Sequence, residues 1–116
     1  MGAWGEGAID NDGAGDYLDT EILGRARTAM RRPRDSNYEE ARAAAFVVLA
    51  LANAGYVSDE DLRIAEAMYV RILGDKRFID AWVSPEMARR RFERELGRIR
   101  NAIRRLDVRR RSVSAR

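Results

Sequence analysis

Residues 43–52 read Ala43-Ala44-Ala45-Phe46-Val47-Val48-Leu49-Ala50-Leu51-Ala52, a run without a single charged side chain. A helix that is apolar on every face is expected at the centre of a domain, with the other helices packed around it. Ten helical residues span only about 15 Å, half of the hydrocarbon core of a bilayer, so the run does not predict a membrane span. We therefore predict an all-α, compact bundle of four to five helices around an apolar central helix at about residues 41–54.

The composition excludes several classes of chemistry. The 116 residues correspond to one domain and contain neither cysteine nor histidine. Disulfides, metal sites with cysteine or histidine ligands, and catalysis by Ser-His-Asp or Cys-His are therefore excluded. We expect a protein that is not an enzyme and has no cofactor. The N-terminus lacks a basic segment followed by an apolar one, so we expect a cytoplasmic location without a signal peptide.

The charges are distributed unevenly along the chain. Residues 1–24 carry six acids and no base, whereas residues 85–116 carry twelve arginines against four acids, a local charge of +8. Of the 22 basic residues, 21 are arginine and only Lys76 is lysine. This excess of arginine fits either a GC-rich genome or a surface that recognises phosphate.

The N-terminal residues form a motif of glycines and acids. The string reads Gly2-Ala3-Trp4-Gly5-Glu6-Gly7-Ala8-Ile9-Asp10-Asn11-Asp12 and is followed by Ala14, Asp16 and Tyr17. Glycines at this density favour tight turns, and Asp10, Asn11 and Asp12 are good helix N-caps. We predict an ordered N-terminal arm in which Trp4 plugs a gap in the core.

This motif resembles the opening of the bacterial domain-of-unknown-function family 4259, whose members begin Met-Gly-x-Trp-Gly-x-Gly-x-Phe-Asp-Asn-Asp. The chain departs from the pattern at Ile9, where Phe is usual, and at Gly13 and Gly15. The alanine-rich run at 43–52 and the segment around Trp82 resemble later parts of the family. The resemblance implies a small, mostly helical bacterial or phage protein with no established activity. No catalytic residue carries over from it.

Local signals predict where the helices begin and end. The first helix is expected from about Asp12 to Arg31, ended by Pro33. The apolar helix is expected at about 37–53, with Gly55 as a left-handed residue at its C-terminus. A third begins at Ser58, which starts a capping-box-like Ser-x-x-Asp, and ends at Gly74. Residues 75–84 are a connection or short helix too apolar for a free loop.

The last helix has the most regular pattern. Ser84, Pro85 and Glu86 are a strong helix start. The apolar residues that follow recur at steps of four and three, as a seam in a helix of about 22 residues that is roughly 33 Å long: Ala88, Phe92, Leu96, Ile99, Ile103 and Leu106. Residues 109–116 lack an apolar period. We therefore predict a single helical domain over 1–108 and a basic, flexible tail over 109–116.

Two groups of residues invite a functional interpretation besides a structural one. Asp10, Asp12 and Asp16 could bind a divalent cation or serve a metal-dependent hydrolase, but they lack the spacing and closing Glu of a calcium loop. Helix capping explains them equally well. Trp4 and Trp82 could stack on a ligand, but their expected role is to anchor the core. With Gly5, Asp10, Asn11 and Asp12 they form the predicted structural motif.

The arginines of the last helix are candidate contacts to phosphate or to a partner: Arg90, Arg91, Arg94, Arg98, Arg105, Arg109, Arg110 and Arg111. They could bind nucleic acid in a salt-sensitive, sequence-tolerant way, although no helix-turn-helix, zinc-finger or RNA-binding signature is present. They could instead be a solvated face or pair with acids of the same or a neighbouring chain. The leading hypothesis is a small protein-binding module of the inhibitor, immunity or adaptor type, with a protein partner or a homo-oligomer and no membrane contact. The alternative is a non-specific nucleic-acid-binding protein.

Overall fold

The computed structural model describes residues 12–32, 38–56 and 58–114. Over these ranges it contains six α-helices and one π-helical segment and no strand, so the predicted all-α bundle is confirmed. In chain order they are α1 (Asp12–Tyr17), the π-helical segment (Leu18–Leu23), α2 (Gly24–Arg31), α3 (Tyr38–Asn53), α4 (Asp59–Gly74), α5 (Lys76–Asp80) and α6 (Pro85–Ser114). The predicted N-terminal arm, with Trp4, Gly5, Asp10 and Asn11, lies outside the described residues.

The first helix spans the predicted range but changes its winding in the middle. The backbone N–H of Gly24 donates to the carbonyl of Asp19, five residues earlier, which is the hydrogen bond of a π-helix. Leu18, Leu23, Ala26 and Met30 point into the core. Sequence periodicity predicted one uniform helix here, whereas the step of five residues between the buried Leu18 and Leu23 matches the wider turn.

Helix α3 ends as the sequence predicts. Gly55 has a φ of +87°, and its N–H donates to the Ala52 carbonyl at 3.0 Å while Tyr56 donates to Leu51 at 2.8 Å. This pair of bonds is a Schellman motif, which needs a left-handed residue that glycine adopts without strain. The chain then turns back into α4.

The predicted cap at Ser58 is present in an altered form. Ser58 precedes α4, but its hydroxyl donates to the Asp61 carboxylate at 3.2 Å and accepts no hydrogen bond from the backbone N–H groups of the helix. Asp61 is engaged more strongly by Arg27 of α2, whose guanidinium donates from Nε at 2.5 Å and from Nη2 at 3.2 Å. Only 2% of the Asp61 side chain is exposed. A residue that the sequence assigned to helix capping therefore forms a buried ion pair between helices.

Residues 75–84 contain the short helix α5, which is held against the start of α6 by an aromatic cluster. Asp75 caps α5 by accepting from the Phe78 N–H at 3.1 Å, and it accepts a second bond from the Tyr38 hydroxyl at 2.9 Å. Phe78 and Trp82 both pack against Phe92 of α6, with ring centroids 5.9 and 5.6 Å apart. Trp82 thus lies in the core cluster, on the side of the connection that faces α6.

Helix α6 carries the predicted seam on its buried side. Ala88, Phe92, Leu96, Ile99 and Ile103 are buried and Leu106 is partly buried. The helix does not stop at the predicted boundary of residue 108 but continues to Ser114. Arginine is a good helix former, and no Gly or Pro follows Gly97, so nothing in the sequence ends the helix there. The apolar spacing therefore predicted which side of α6 is buried, but it did not predict where the helix ends.

The centre of the bundle is α4, and this corrects the place assigned to the apolar helix. Helix α4 contacts α2, α3, α5 and α6. Helix α3 buries one side, with Tyr38, Ala41, Ala45 and Val48, while 70% of Phe46 is exposed. Within the described ranges, no helix combines the length and apolar character that crossing a bilayer requires.

Candidate functional site

The outer side of α3 is an apolar surface. We define the apolar stripe as Ala43, Phe46, Val47 and Ala50, all of which are exposed. These residues follow at steps of three, one and three, so they lie on one face over two turns of helix. Between Arg42 and Gly55 the sequence contains no charged residue that could shield the stripe from solvent. An aromatic side chain at the centre of an uncharged face is the feature that distinguishes this surface.

A polar network lies beside the stripe, where α3 meets α6. Arg42 donates to both oxygens of Glu95, from Nε to Oε1 at 2.9 Å and from Nη2 to Oε2 at 2.8 Å. Tyr69 of α4 donates its hydroxyl to Glu95 Oε1 at 2.7 Å. The guanidinium carbon of Arg42 also lies 4.7 Å from the centroid of the Phe92 ring. Two-point pairing and ring stacking both require the planar group of arginine, so this side chain is fixed in one position.

Near pH 7, Arg42 and Glu95 of this network are charged and Tyr69 is neutral. Burial raises the pKa of Glu95, but the hydrogen bonds from Arg42 and Tyr69 outweigh it and leave the pKa below its ordinary value. Burial, together with the negative charge of Glu95, raises the pKa of Tyr69. A general acid or base works best with a pKa near the working pH. Both groups are shifted away from that range, so the network is suited to holding a surface in shape and not to proton transfer.

A groove runs between the stripe and the network. It has a volume of about 320 Å³. The side chains that line it come from three helices: Glu39, Arg42, Ala43, Ala45, Phe46 and Leu49 of α3, Tyr69 of α4, and Glu95, Arg98 and Ile99 of α6. We call this the α3–α6 groove. Its lining therefore combines the paired Arg42 and Glu95 with the exposed Phe46 and Arg98.

One basic residue of α6, Arg98, lines the groove, and two others lie seven residues before and after it on the same helix. We define the arginine row as Arg91, Arg98 and Arg105, which are all exposed. Steps of seven residues keep them on one side of the helix, about 10.5 Å apart. Arg105 donates to the Asn53 side chain at the end of α3 at 2.9 Å, and Arg42, near its start, bonds Glu95. Arg42 and Asn53 follow one another along α3 in the same order as their partners Glu95 and Arg105 along α6, so the two helices run parallel. The arginine row therefore follows the stripe along its length.

Of the remaining candidate arginines, Arg90 and Arg94 lie apart from this row, whereas Arg109 continues it. Arg90 pairs with Glu86 at 3.0 Å on the same helix, and Arg94 lies on the outer side of α6 beside Met87 and Glu93. Arg109 follows Arg105 by one turn and is exposed. The side chains of Arg110 and Arg111 lie outside the described set, although their backbone belongs to α6.

The acidic candidates are placed only in part. Asp10 and the side chain of Asp12 lie outside the described residues, and Asp16 is exposed. Asp19 accepts from Arg27 at 2.9 Å, so one acid of the N-terminal region does pair within the fold. Among the side chains that the structure describes, no group of three or more Asp or Glu could hold a metal ion.

The sequence analysis did not identify the residues that define the groove. Phe46 was assigned to the core, and Arg42, Tyr69 and Glu95 were not singled out. One signal was present: Glu95 interrupts the seam of α6 beside Leu96, where a charge must either be exposed or find a partner. Its partner Arg42 is 53 residues away, a distance that helical spacing does not reveal.

In the comparison with known proteins, no family model, no curated protein and no solved structure matches the chain. The resemblance to family 4259 therefore stays a prediction that depends on the residues quoted above.

Proposed function

We propose that this protein is a non-catalytic binding module that recognises another protein through the apolar stripe and the α3–α6 groove. The observation that carries the proposal is the exposure of Phe46, 70% of which faces solvent beside a preformed groove. Burying that much of a phenylalanine contributes roughly 3 kcal/mol before the costs of association. Such an aromatic anchor, ringed by smaller contacts, is typical of the residues that dominate binding energy in protein interfaces.

The chemistry around the groove supports binding and not turnover. The carboxylate of Glu95 has its oxygens occupied by Arg42 and Tyr69, so it offers no free base to a substrate. The same contacts fix the groove before any partner arrives, which lowers the conformational cost of binding. By analogy with other small binding proteins, the module would act as an inhibitor, immunity or adaptor protein of bacterial or phage origin, in the cytoplasm.

The test places a photoreactive phenylalanine analogue at position 46 and, as a control, at position 83. Val83 is fully exposed and lies in the connection before α6, away from the groove. Cells of the source organism are irradiated, the adducts are identified, and the captured protein is purified and titrated against the unmodified chain. We expect an adduct specific to position 46 and an affinity that Phe46→Ser weakens at least about tenfold, or 1.4 kcal/mol. An affinity unchanged by Phe46→Ser but lowered by Val83→Ser would contradict the proposal.

A second candidate function is non-specific nucleic-acid binding, which the arginines of α6 favour. Within the described part of the chain, Arg94, Arg98 and Arg109 form no ion pair with an acid. Exposed guanidinium groups along about 22 Å of helix could each neutralise a phosphate. A gel shift with DNA and RNA at two salt concentrations tests this, using the full chain and a version lacking residues 108–116. Negligible binding by both would remove this candidate; binding that falls steeply with salt and is weakened by the deletion would favour it.

A further inference from the structure

The apolar stripe and the arginine row lie side by side on one surface, and their combined pattern restricts what can cover it. The stripe repeats at the spacing of a helix face, and its residues on either side of Phe46 and Val47 are the small Ala43 and Ala50. Small residues let the backbone of a second helix approach closely, while Phe46 inserts between that helix's side chains. The shape of the surface therefore fits a helix that lies along α3.

The arginines next to the stripe determine which charge a bound helix should carry on the side that faces α6. Arg91, Arg98 and Arg105 follow α3 at intervals of one heptad, about 10.5 Å. Arg98 lines the groove directly, and Arg105 is held in position by Asn53 at 2.9 Å. A helix lying on the stripe with its flank toward α6 would present every seventh residue to the row. Carboxylates at those positions would meet guanidinium groups, and basic residues would be repelled.

A second copy of this chain fits the surface less well. When two copies face each other through α3, their α6 helices come to lie on the same side of the contact if the α3 helices are antiparallel. The arginine rows would then oppose each other, and the exposed acids of the surface, Glu39 and Glu40, lie only at the start of α3. Like charges across an interface cost free energy, so charge complementarity favours an acidic partner over self-association.

From this arrangement we infer that the surface binds an acidic amphipathic helix of a partner protein, with an apolar seam on Phe46 and carboxylates at heptad spacing on the arginine row. The inference depends on the proposed function, because it names the partner class of the same surface.

The experiment uses synthetic helices as probes. A fluorescent, side-chain-stapled peptide of about three heptads carries Leu at the seam and Glu on the flank. One matched peptide has Lys in place of each Glu, and another has Ser in place of each Leu. Fluorescence anisotropy measures the affinity of each peptide for the full chain at about 50 mM and about 300 mM NaCl, a range over which surface charges become screened.

We expect the Glu peptide to bind at least about tenfold more tightly than either matched peptide, and more weakly at high salt. Phe46→Ser should weaken its binding about tenfold, and Arg98→Glu about threefold or more. The matched controls are Val83→Ser and Arg89→Glu. Arg89 lies nine residues before Arg98, on the opposite side of α6, and carries the same charge. Both controls should leave the affinity unchanged.

Several results would overturn the inference and can be distinguished from failure of the proposed function. Equal binding of the Glu and Lys peptides, or no binding of either, excludes the acidic helix. If a partner captured at position 46 depends on Phe46 but not on Arg98 or salt, the proposed function stands and the acidic partner is wrong. If light scattering shows a dimer that Phe46→Ser dissociates, the occupant is a second copy. If no partner depends on Phe46, both proposals fail.

Discussion

Replacing Arg27 by Met should destabilise the protein more than replacing its partner Asp61 by Asn. The two side chains form one ion pair, but they are not equally buried. The Asp61 side chain is 2% exposed and the Arg27 side chain 26%. In Arg27→Met, a carboxylate that water cannot reach keeps only the hydroxyl and the backbone N–H of Ser58 as partners. In Asp61→Asn, the guanidinium remains partly solvated and keeps its 2.9 Å bond to Asp19.

The magnitudes follow from what each substitution leaves unpaired. Removing one partner and leaving a buried charge costs about 3–5 kcal/mol. Protonation limits this cost, because neutralising a carboxyl of ordinary pKa at pH 7 takes roughly 4 kcal/mol. For Asp61→Asn we expect about 1–2 kcal/mol, since an amide oxygen of the same shape still accepts from Arg27. The two free energies of unfolding should therefore differ by about 2 kcal/mol.

The pH dependence gives an independent check on the same pair. Burial raises the pKa of Asp61, but the hydrogen bonds and charge of Arg27, with help from Ser58, leave it below its ordinary value. A carboxyl whose pKa is lowered by folding stabilises the protein above its unfolded pKa and loses that contribution as the pH falls through its folded pKa. Without Arg27, we expect burial to outweigh the hydrogen bonds from Ser58, so that the pKa of Asp61 rises. The cost of Arg27→Met should thus be largest near neutral pH and shrink on acidification.

The assay is urea denaturation followed by far-ultraviolet circular dichroism at about pH 7 and about pH 3.5. Arg25→Met on the same helix is the control. Arg25 is exposed, so its substitution should change the free energy of unfolding by less than about 0.5 kcal/mol. The reasoning is refuted if Arg27→Met costs no more than Asp61→Asn near neutral pH, or if its cost does not fall on acidification.

Three further predictions use the same denaturation assay. Glu95→Gln should lower the free energy of unfolding by about 1–2 kcal/mol near neutral pH. Because folding lowers the Glu95 pKa, the difference in stability between the variant and the original chain should shrink as the pH falls through the folded pKa. A difference in stability that does not depend on pH would count against the network. Phe46→Ser should change the stability by less than about 0.5 kcal/mol, whereas Phe92→Ala, which empties a fully buried position, should cost about 3–5 kcal/mol. Gly55→Ala should cost about 1–2 kcal/mol because its φ is +87°, and Gly97→Ala, with open space around the added carbon, should stabilise α6 by about 0.5–1 kcal/mol. The same sign for both glycine substitutions would contradict this account.

The sequence predicted most of the helix boundaries, because the signals that start and stop a helix act within a few residues. Pro85 begins α6 and Gly55 ends α3 as expected. The spacing from Ala88 to Leu106 correctly identified the buried side of α6. The end of α6 was missed, since burial and helix formation are separate properties and arginine supports a helix without being buried.

The exposed side of α3 is a feature that sequence patterns do not predict. Burying an apolar face is favourable, but the apolar residues alone do not show whether another helix is present to cover that face. The chain places α4 at the centre instead, and the uncovered side of α3 becomes the candidate binding surface.

By itself, the sequence determined the all-α class, the caps, the apolar periods and the concentration of arginine in the last helix. These depend on the energies of residues within about one or two helical turns of each other. Only the tertiary structure determined that Arg42 meets Glu95 and that Arg27 meets Asp61, across 53 and 34 residues of chain. It also determined that Phe46 is left beside a row of arginines. Such contacts depend on how whole helices pack, and packing is set by all of their surfaces at once and not by any one stretch of sequence.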